Sequence, residues 1–469
     1  MEIQEIKNIN NDRQVFFDGY WIDAYENVKR VMHEPIRKEP VITKDYPWEK
    51  GYVGGITTAY DGEKYRMWYT CDEASKLGVP KLPRFRFKAY AESKDGINWT
   101  KKFLNLEDYQ GSKNNNLLNK QDHFVVNIDK NPDAKNDEIF KAFKVQRRGK
   151  DSAIFAMASP DGIRWKQMYE DPILTGGPFD TKNLFFWDKW TKQYRGYTRG
   201  SIGSGREGKR KHDISIWKTA YRWIRISSSK DFKTWGPLVN INTGDTPFED
   251  LYTNEAWPYE RSPGTYLIFP SRFIPDRVPD PNWFDGSGVS DIVFMSSRDG
   301  VNFDRSFMEA FIKPGLDKNN WHERAIYFQH GVYQTSPDEL SMYVSEGGKT
   351  SQSCIRRYTI RPDGFVSIKA GYSVGEFTTK TFIFSGDCLE VNYSTSAIGS
   401  LKVEIQDGNG NRIPGYSLND CTEKFGDSIG SRVIWKDRKT VSILKDKPVK
   451  LRFVLKDADL YAFKFNHEK

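Results

Sequence analysis

Carboxylates recur in this chain just before or within short apolar runs. They are Glu49 before Tyr52 to Tyr60, Asp122 before Phe124 to Ile128, Asp180 before Leu184 to Trp187, Glu255 beside Asn254, and Glu323 before Ala325. Carboxylates that are held close together raise one another's pKa. A pair of them can cleave a glycosidic bond, one protonating the leaving oxygen and the other acting as nucleophile or base. We expect Asp180 and Glu255 to be this catalytic pair, followed by Asp122, Glu49 and Glu323.

Side chains suited to sugars accompany these acids. Aromatic rings can stack on the faces of sugars, and amide, imidazole and guanidinium groups can bind hydroxyls. The candidate substrate-binding residues are Trp48, His123, Asn183, Arg199, Asn254, Trp257, Arg272, His322, Arg324 and Glu346. Each of these residue types also serves structural roles, so the sequence leaves both roles open at every position.

An internal repeat places these residues. Five segments share a template related to Ser-x-Asp-Gly, with Phe232 in place of glycine in the third and Arg361 in place of serine in the fifth. Their aspartates follow one another at 66, 70, 68 and 64 residues: Asp95, Asp161, Asp231, Asp299 and Asp363. Asp-Gly between apolar runs is typical of a β-hairpin, because glycine adopts the positive φ that a tight turn requires. So regular a period indicates one supersecondary unit that is repeated five times.

A second hairpin precedes most of these turns and has an aromatic-rich return strand, as in Tyr65 to Tyr69 and Tyr194 to Tyr197. Two hairpins per period make a four-stranded antiparallel sheet, which is the blade of a β-propeller. We therefore predict an all-β protein with a five-bladed propeller, its blades at about 46–107, 108–172, 173–240, 241–313 and 314–370. In such a blade the first strand lines the central channel, so the acids would meet at the mouth of the channel. The alternative is a pair of unrelated β-sandwiches with chance Asp-Gly turns.

The two ends of the chain lie outside the repeat. Residues 1–45 form an N-terminal segment in which the strand and turn Gln14 to Ile22 are expected to complete the last blade. After Ala370 the period stops, and short alternating strands such as Leu401 to Ile405 predict a C-terminal β-sandwich over 371–469. Residues 46–370 are thus the predicted catalytic domain. The expected role of the sandwich is packing against the propeller, with sugar binding as the alternative.

Composition limits the classes of function. Aromatic residues are 14% of the chain and no sustained 3.6-residue periodicity is present, which favours strands over helices. The net charge is +8, and the basic residues are mixed with 63 acidic residues along the chain. No nucleic-acid-binding motif accompanies them, so we expect no nucleic-acid partner. The densest basic cluster, Arg206 to Lys211, is either a solvated loop or a contact for an acidic substrate.

The sequence shows neither a membrane span nor a cysteine motif. No apolar run reaches the roughly 18 residues that a membrane span needs, and Met1 to Asn11 has no signal-peptide core. We expect a periplasmic or secreted protein whose leader is absent from this chain, and the sequence leaves a cytoplasmic location open. The four cysteines lack metal or redox spacing, and Cys388 and Cys421 are expected to be buried thiols rather than a disulfide.

Several motifs resemble bacterial proteins related to the N-terminal domain of glycoside hydrolase family 32, within the five-bladed propeller glycosidases of families 32, 43 and 68. The resemblance covers nearly the whole chain. It is carried by Trp48-Glu49 before a strand, Tyr65 to Tyr69, Phe179 to Asn183, Phe294 to Gly300, Arg356 to Thr359, Arg361 to Ser367 and the ending Leu460 to Phe465.

The resemblance implies an acid in blade one as nucleophile or base, an aspartate in blade two that tunes a pKa or stabilises the transition state, and a glutamate as general acid. This chain departs from the pattern, because the stretch Tyr52 to Tyr60 contains no acid and the Asn-Asp-Pro-Asn-Gly and Arg-Asp-Pro signatures of invertases are absent. The roles therefore do not transfer one to one.

The sequence thus predicts a glycosidase that cleaves an oligo- or polysaccharide by paired-carboxylate chemistry. The alternatives are a carbohydrate-binding propeller without catalysis and a phosphorylase of similar fold whose arginines hold phosphate. No cofactor is indicated with certainty. So many carboxylates allow a Ca²⁺ or Mg²⁺ ion in the central channel, although the sequence names no ligand set, and it leaves the oligomeric state open.

Overall fold

The computed structural model describes residues 6–73, 86–119, 124–148, 151–179, 182–203, 220–280, 282, 288–322, 324–348, 350–436 and 440–467. Over these residues the chain is all-β, as predicted. The only helical segments within them are single 3-10 turns: Pro47–Glu49, Asn136–Glu138, Lys318–Asn320 and Ser442–Leu444. In the described part of the chain, no helix is long and apolar enough to cross a membrane.

The strands alternate with turns along the whole chain. The first are β1 (Lys7–Asn8), β2 (Gln14–Val15), β3 (Ile22–Glu26), β4 (Val28–Met32), β5 (Ile36–Ile42), β6 (Tyr52–Tyr60), β7 (Tyr65–Asp72), β8 (Arg86–Ser93), β9 (Leu117–Asn119), β10 (Phe124–Ile128), β11 (Phe140–Arg148), β12 (Asp151–Ser159) and β13 (Lys166–Gln167). Then follow β14 (Leu174–Gly177), β15 (Leu184–Asp188), β16 (Gln193–Ile202), β17 (Tyr221–Ser229), β18 (Val239–Asn240), β19 (Asp250–Leu251), β20 (Trp257–Pro258), β21 (Tyr266–Ile268), β22 (Ser271–Ile274), β23 (Val289–Ile292), β24 (Met295–Ser297) and β25 (Phe303–Asp304). The last are β26 (Tyr327–Ser336), β27 (Glu339–Glu346), β28 (Cys354–Ile360), β29 (Val366–Ala370), β30 (Gly375–Thr379), β31 (Phe382–Ile383), β32 (Cys388–Asp407), β33 (Asp427–Arg432) and β34 (Val449–Asn466).

The chain forms two compact units. The first comprises Met1–Glu34, Tyr259–Thr265 and Ile360–Lys469, and the second comprises Pro35–Pro258 and Tyr266–Thr359. The repeat predicts boundaries near residues 45 and 370, whereas the units change at residues 34 and 359. The difference at the second boundary arises because β29 pairs with β4 and β34 in the first unit.

Consecutive strands form the sheets of the second unit. Their orders are β10-β11-β12-β13 with β14 beside β12, β15-β16-β17-β18, β20-β21-β24-β25 with a separate β19-β22-β23, and β5-β28-β27-β26-β6-β7-β8-β9. In the eight-stranded sheet, β26 runs parallel to β6, with His330 opposite Thr57. The earliest and latest strands of the unit therefore share one sheet.

The first four Asp-containing turns have the hairpin chemistry that the repeat predicts. In the turn at Asp95, the carboxylate accepts hydrogen bonds from the backbone N–H groups of Ile97 and Asn98, and the Ser93 hydroxyl accepts one from Gly96 N–H. The same side-chain bonds recur around Asp161, Asp231 and Asp299. Because the turn geometry is fixed locally by these residues, the sequence pattern was sufficient to find it.

The fifth turn is not a hairpin, which corrects the prediction for Asp363. The strand before it, β28, pairs with β5 and β27, whereas the strand after it, β29, pairs with β4 and β34. The positive φ lies at Asp363 itself, at 64°. The reason is that the Asp363 carboxylate is buried and bound by distant side chains rather than by its own turn.

Aromatic side chains connect neighbouring sheets of the second unit through hydrogen bonds to turns. Trp68 donates to the carbonyl of Gly162 (2.7 Å), Tyr197 to that of Gly300 (2.8 Å) and Tyr343 to that of Gly96 (2.6 Å). A second set of bonds has Tyr194 donating to Asp129, Tyr266 to Asp188 and Tyr65 to the Gln334 carbonyl. Together these bonds link the first repeat to the second, the second to the third, the third to the fourth, and the fifth to the first.

A strand of the N-terminal region does lie beside the last repeat, but it is not the predicted one. β5 pairs with β28, whereas within the predicted Gln14 to Ile22 stretch only β2 and the start of β3 are strands. β2 pairs with β34 of the first unit. Residues Phe16 and Trp21 are buried in the core of that unit, which explains why this apolar stretch does not serve the repeat.

The first unit is built on the long strand β34, which pairs with β2, β29, β30, β31 and β32. Its core is rich in aromatic rings, including Trp21, Phe377, Phe453 and Phe463. Cys388 and Cys421 are buried free thiols, as expected.

A buried ion network around Asp363 connects the three chain segments of the first unit. Its carboxylate accepts hydrogen bonds from Tyr259 (2.7 Å), Arg261 (2.9 Å) and Asn392 (3.0 Å), and Arg13 lies at 3.1 Å. Burial opposes ionisation of Asp363, but the charges of Arg13 and Arg261 outweigh it and lower its pKa. A fully partnered buried carboxylate of this kind stabilises the arrangement of its partners.

We expect Asp363→Asn to destabilise the first unit by roughly 3 to 5 kcal/mol, because it leaves two guanidinium groups without their common charge. Hydrogen exchange of peptides from Val449–Asn466 measures this change locally. The matched control is Asp161→Asn, since Asp161 occupies the same place in the repeat but its carboxylate bonds to Ser159, Ile163 and Arg164 of its own turn. Equal protection in the two variants would contradict the assignment.

Candidate functional site

The first strands of the repeats pack against one another in the second unit. β6 contacts β10 and β26, β10 contacts β15, and β20 contacts β26. Two of these strands are irregular at the same level, with register shifts between Gly55 and Thr57 in β6 and between Phe328 and Val332 in β26. β-bulges of this kind are common next to functional sites, because they redirect side chains.

The first strand of the fourth repeat is interrupted at Glu255. This residue has φ of 61°, in the left-handed region that non-glycine residues rarely adopt. The backbone on either side is held in place, since Tyr252 N–H donates to the Ser271 carbonyl (2.7 Å) and Phe269 N–H donates to the Asn254 carbonyl (3.1 Å). Strained backbone that the surroundings enforce is frequent at functional sites.

The carboxylate of Glu255 is buried with few partners. The residue is 1% exposed. Lys182 Nζ lies 2.9 Å from Oε1 as an ion pair, and neither oxygen accepts a well-oriented hydrogen bond from the described residues. Burial raises the pKa of Glu255, while the charge of Lys182 acts in the opposite direction. A buried acid whose pKa is raised and whose oxygens accept no well-oriented hydrogen bond is a candidate proton donor.

Lys182 is held by backbone groups as well as by the acid. Its ammonium donates to the carbonyl of Phe328 (2.9 Å), and its own carbonyl accepts a hydrogen bond from the Asn254 side chain (3.1 Å). Its side chain is 15% exposed, whereas that of Glu255 is fully buried. Lys182 therefore has a fixed position beside Glu255.

His330 is the buried imidazole of this region. Its Nε2 lies 3.3 Å from the Asn127 amide nitrogen, and Nδ1 has no partner among the described residues. Burial, followed by the charge of Lys182, lowers the pKa of His330 to about 3. The ring is thus neutral at ordinary pH. With the Asn127 amide donating to Nε2, Nδ1 carries the proton and is a spare donor.

Trp257 provides the aromatic surface. Its half-buried ring contacts the ring of His330 edge-on at 5.0 Å and that of Tyr333 at 5.4 Å. We refer to Glu255, Lys182, His330, Asn127 and Trp257 as the Glu255 cluster. It combines an acid, a cation, a neutral imidazole, an amide and an aromatic face.

Four other predicted residues lie close to this cluster or in the loop before β26. Asn254 is bound to Lys182, and Asn183 accepts a hydrogen bond from Arg199 N–H (3.2 Å) while donating to the Phe179 carbonyl (2.9 Å). The Arg199 guanidinium lies 4.9 Å from the centre of the Tyr252 ring. His322 is buried before β26.

Glu49 and Trp48 have structural partners instead. Glu49 accepts hydrogen bonds from Lys101 (2.7 Å), from Tyr69 (2.7 Å) and from two backbone N–H groups of its own loop. Trp48 stacks on Tyr46 at 4.7 Å and donates to Asn116. These contacts occupy both carboxylate oxygens and the indole, so the structure gives Glu49 no free oxygen for a reaction.

Glu346 and Arg272 are likewise saturated. Glu346 accepts hydrogen bonds from Arg37, Arg356 and Tyr358, which together lower its pKa although burial acts to raise it. Arg272 forms a two-pronged pair with Asp291 and also donates to Glu249 and the Met308 carbonyl. The sequence could not show these partners, since they lie on other strands or loops, and Arg37 is 309 residues away from Glu346.

The remaining predicted residues are placed as follows. Arg324 lies in the loop before β26 with φ of 60°. Asp122, His123, Asp180, Glu323 and the basic cluster Arg206 to Lys211 lie outside the described residues. The described residues contain no group of three or more His, Cys, Asp or Glu that could hold a metal ion, and the Ca²⁺ or Mg²⁺ ion remains a prediction.

Sequence reasoning missed Lys182, His330 and Asn127. Lys182 stands two residues after the predicted Asp180, so a cation beside a predicted acid was a signal available in the sequence. His330 and Asn127 lie on the first strands of their repeats, β26 and β10, where they could have been found by aligning the repeats strand by strand.

No known protein-family model matches the chain, and no curated protein matches its sequence. Solved structures do resemble it. One titled as a glycoside hydrolase has 13% identity and a TM-score of 0.44 over 71% of this chain and 93% of that chain. Another, from work on mannoside phosphorylases and hydrolases that target β-1,2-mannosidic linkages in Candida mannan, has 12% identity and a TM-score of 0.42 over 71% and 95%. A fructofuranosidase from Schwanniomyces occidentalis complexed with fructosylnystose has 12% identity and a TM-score of 0.42 over 91% and 97%.

Glycoside hydrolases are the class that the sequence motifs resemble. At these identities and TM-scores no role or substrate transfers from the solved structures, and the proposals below rest on the residues of this chain.

The contrast between Glu255 and Glu346 predicts opposite effects of neutralisation. Glu255→Gln should leave the protein equally or more stable at neutral pH, because the raised pKa means that the folded state disfavours the charged form. The difference should vanish as the pH falls below about 4, where the acid is protonated in both states. Glu346→Gln should cost roughly 3 to 5 kcal/mol at neutral pH. Because the pKa of Glu346 is lowered, wild-type stability from this group is lost as the pH falls.

Urea unfolding of both variants between pH 4 and pH 8 measures these effects. A large loss of stability in Glu255→Gln at neutral pH would show that its carboxylate has a structural role.

Proposed function

We propose that the protein is a carbohydrate-active enzyme that cleaves glycosidic bonds of an oligo- or polysaccharide, with Glu255 as the general acid. The observation that carries the proposal is the state of this carboxylate: it is buried, neither oxygen accepts a well-oriented hydrogen bond from the described residues, and its backbone is strained. Such a group lowers the stability of the fold. Residues with this property are found most often at sites that serve a reaction.

The neighbours of Glu255 suit the two stages of proton transfer. Burial favours the protonated acid, which can then donate its proton to the oxygen of the leaving sugar. The carboxylate that remains is stabilised by Lys182 at 2.9 Å. Trp257 offers a face on which a sugar ring can stack, and the spare Nδ1–H of His330 is a donor for a hydroxyl.

The second carboxylate of the reaction is proposed to be Asp180. It stands between two described residues of this region, Phe179 and Lys182, and the latter is paired with Glu255. Asp122 and Glu323 are the next candidates. Glu49 is not retained, because its oxygens are occupied by Lys101, Tyr69 and backbone donors.

The proposed framework is a five-bladed propeller whose blades are the five repeats. Its support is the set of links between successive sheets, together with the bond from Tyr65 of the first repeat to Gln334 of the last and the pairing of β6 with β26. The proposed sandwich corresponds to the C-terminal strands of the first unit. A periplasmic or secreted location follows from the proposed polysaccharide substrate.

A phosphorylase is the second candidate. The observation that favours it is the absence of any acid from the first strand of the first repeat, Tyr52–Tyr60, where the resemblance implies the nucleophile or base. Inorganic phosphate attacks without such a base, since it is itself the nucleophile. A non-catalytic sugar-binding protein would need none of the features of Glu255.

A product assay tests the proposal. The protein is incubated with a panel of plant, algal and host oligosaccharides, with and without phosphate, and released sugar is measured. Release without phosphate supports the hydrolase, and release only with phosphate supports the phosphorylase. Binding of one member without release of sugar would contradict both.

On a substrate found in this way, Glu255→Gln should lower kcat/KM by about 10²- to 10⁴-fold, the usual contribution of a positioned general acid. The matched control is Glu309→Gln, which changes an exposed glutamate. Asp180→Asn should show a loss of similar size. Full activity of both Glu255→Gln and Asp180→Asn would refute the assignment.

The pH profile should depend on Lys182. If Glu255 acts as an acid, kcat/KM falls as the pH rises through its pKa. Lys182 lowers that pKa, so Lys182→Met should shift the basic limb to higher pH, whereas the exposed control Lys230→Met should not. A shift to lower pH, or none, would show that Lys182 does not act on the proton donor.

A further inference from the structure

Arg225 occupies a slot lined by glycines in the second unit. It lies on β17, and its guanidinium is 5.7 Å from the centre of the Phe179 ring. A Cβ on Gly200 would lie 2.5 Å from the Arg225 side chain, and one on Gly177 would collide with its guanidinium. The two glycines therefore leave the space that the arginine side chain fills. The slot is a built feature of the fold.

Arg225 has no carboxylate partner among the described residues. Its one hydrogen bond is from NH2 to the Arg199 carbonyl (3.2 Å), and its buried Nε has no partner there. Burial lowers the pKa of Arg225, with no opposing charge. Arg272, which is similarly half-buried, is instead paired with Asp291 and Glu249.

An unpaired guanidinium in a half-buried slot favours an anion. Removing the group from water costs free energy that a neighbouring carboxylate normally offsets. The planar fork of arginine matches the two oxygens of a carboxylate or a phosphate. The donors left free on Arg225 suit such a two-pronged contact.

The slot adjoins the segment that leads to the proposed catalytic residues. Phe179, on which Arg225 packs, immediately precedes Asp180. Arg199, whose carbonyl Arg225 binds, donates its N–H to Asn183, the neighbour of Lys182. Arg225 is thus connected, directly or through Arg199, to Phe179 and Asn183, which lie close in the sequence to Lys182, the ion-pair partner of Glu255.

We propose that Arg225 binds an oxyanion of the substrate, and that the substrate carries a carboxylate, as a uronic acid does. This inference rests on the proposed function and adds the substrate class to it. The same guanidinium could be met by inorganic phosphate, and the experiment separates the two sources.

The test measures binding by calorimetry to the full-length Glu255→Gln protein, so that turnover does not interfere. The probes are oligomers of galacturonate, glucuronate and mannuronate, the carboxyl-reduced form of each, and inorganic phosphate. We expect one uronate oligomer to bind at least about 10-fold more tightly than its reduced form, the worth of one charge-assisted hydrogen-bonded pair.

Arg225→Met in the same background should abolish this preference, and Arg225→Lys should retain part of it. Gly200→Ala should weaken the preference as well, because the added methyl group displaces the Arg225 side chain. The control is Arg164→Met, which removes an exposed arginine. Arg225→Met should unfold at the same temperature as its parent or higher, because it removes a buried unpaired charge.

Three results would overturn the proposal: equal binding of the uronate and its reduced form, no loss of preference in Arg225→Met, or no response to any uronate or to phosphate. Phosphate binding that Arg225→Met abolishes, without uronate binding, would assign the oxyanion to free phosphate. The proposed function can fail separately. If the wild-type protein binds a uronate through Arg225 but releases no sugar, the binding site is supported and the proposed enzymatic activity is contradicted.

Discussion

The second unit depends on hydrogen bonds between an aromatic side chain of one sheet and the turn of the next. Trp68, Tyr197 and Tyr343 each donate to the carbonyl of the glycine in a Ser-x-Asp-Gly turn. The serine and aspartate of the turn accept hydrogen bonds from backbone N–H groups of the same turn, which fixes the orientation of that carbonyl. These three bonds link the first repeat to the second, the third to the fourth, and the fifth to the first.

This framework explains how Glu255 can remain in an unfavourable state. A left-handed glutamate backbone and a buried carboxylate with one cationic neighbour both oppose folding. Backbone hydrogen bonds on either side of Glu255, to Ser271 and from Phe269, prevent the strand from relaxing. These backbone hydrogen bonds thus hold the carboxylate in a buried position, where water does not solvate it and no further cation of the described residues pairs with it. The same property that makes the residue costly to the fold makes it useful as a proton donor.

The sequence predicted the features whose chemistry is local. Four Asp-containing turns, the all-β class and the buried free cysteines are as expected, since a turn is decided by a few consecutive residues. The fifth turn departs because Asp363 is bound by Arg13, Arg261 and Asn392, which no local pattern reveals. The same limit applies at the candidate site. Glu346 looked like a channel acid, but Arg37, 309 residues away, binds it. Charged groups take their roles from distant partners, and single-sequence patterns do not contain that information.

The number of partners separates structural from functional charges in this protein. Glu49, Glu346 and Asp363 each accept at least three hydrogen bonds, and they stabilise the parts of the chain that surround them. Glu255 and Arg225 lack such sets. In the described part of the chain, Glu255 is paired with Lys182 alone, and Arg225 lies in a glycine-lined slot. A substrate that contacts both groups must offer a partner to each. An acidic sugar has both: an oxyanion for the guanidinium and a glycosidic oxygen that can receive the proton of Glu255.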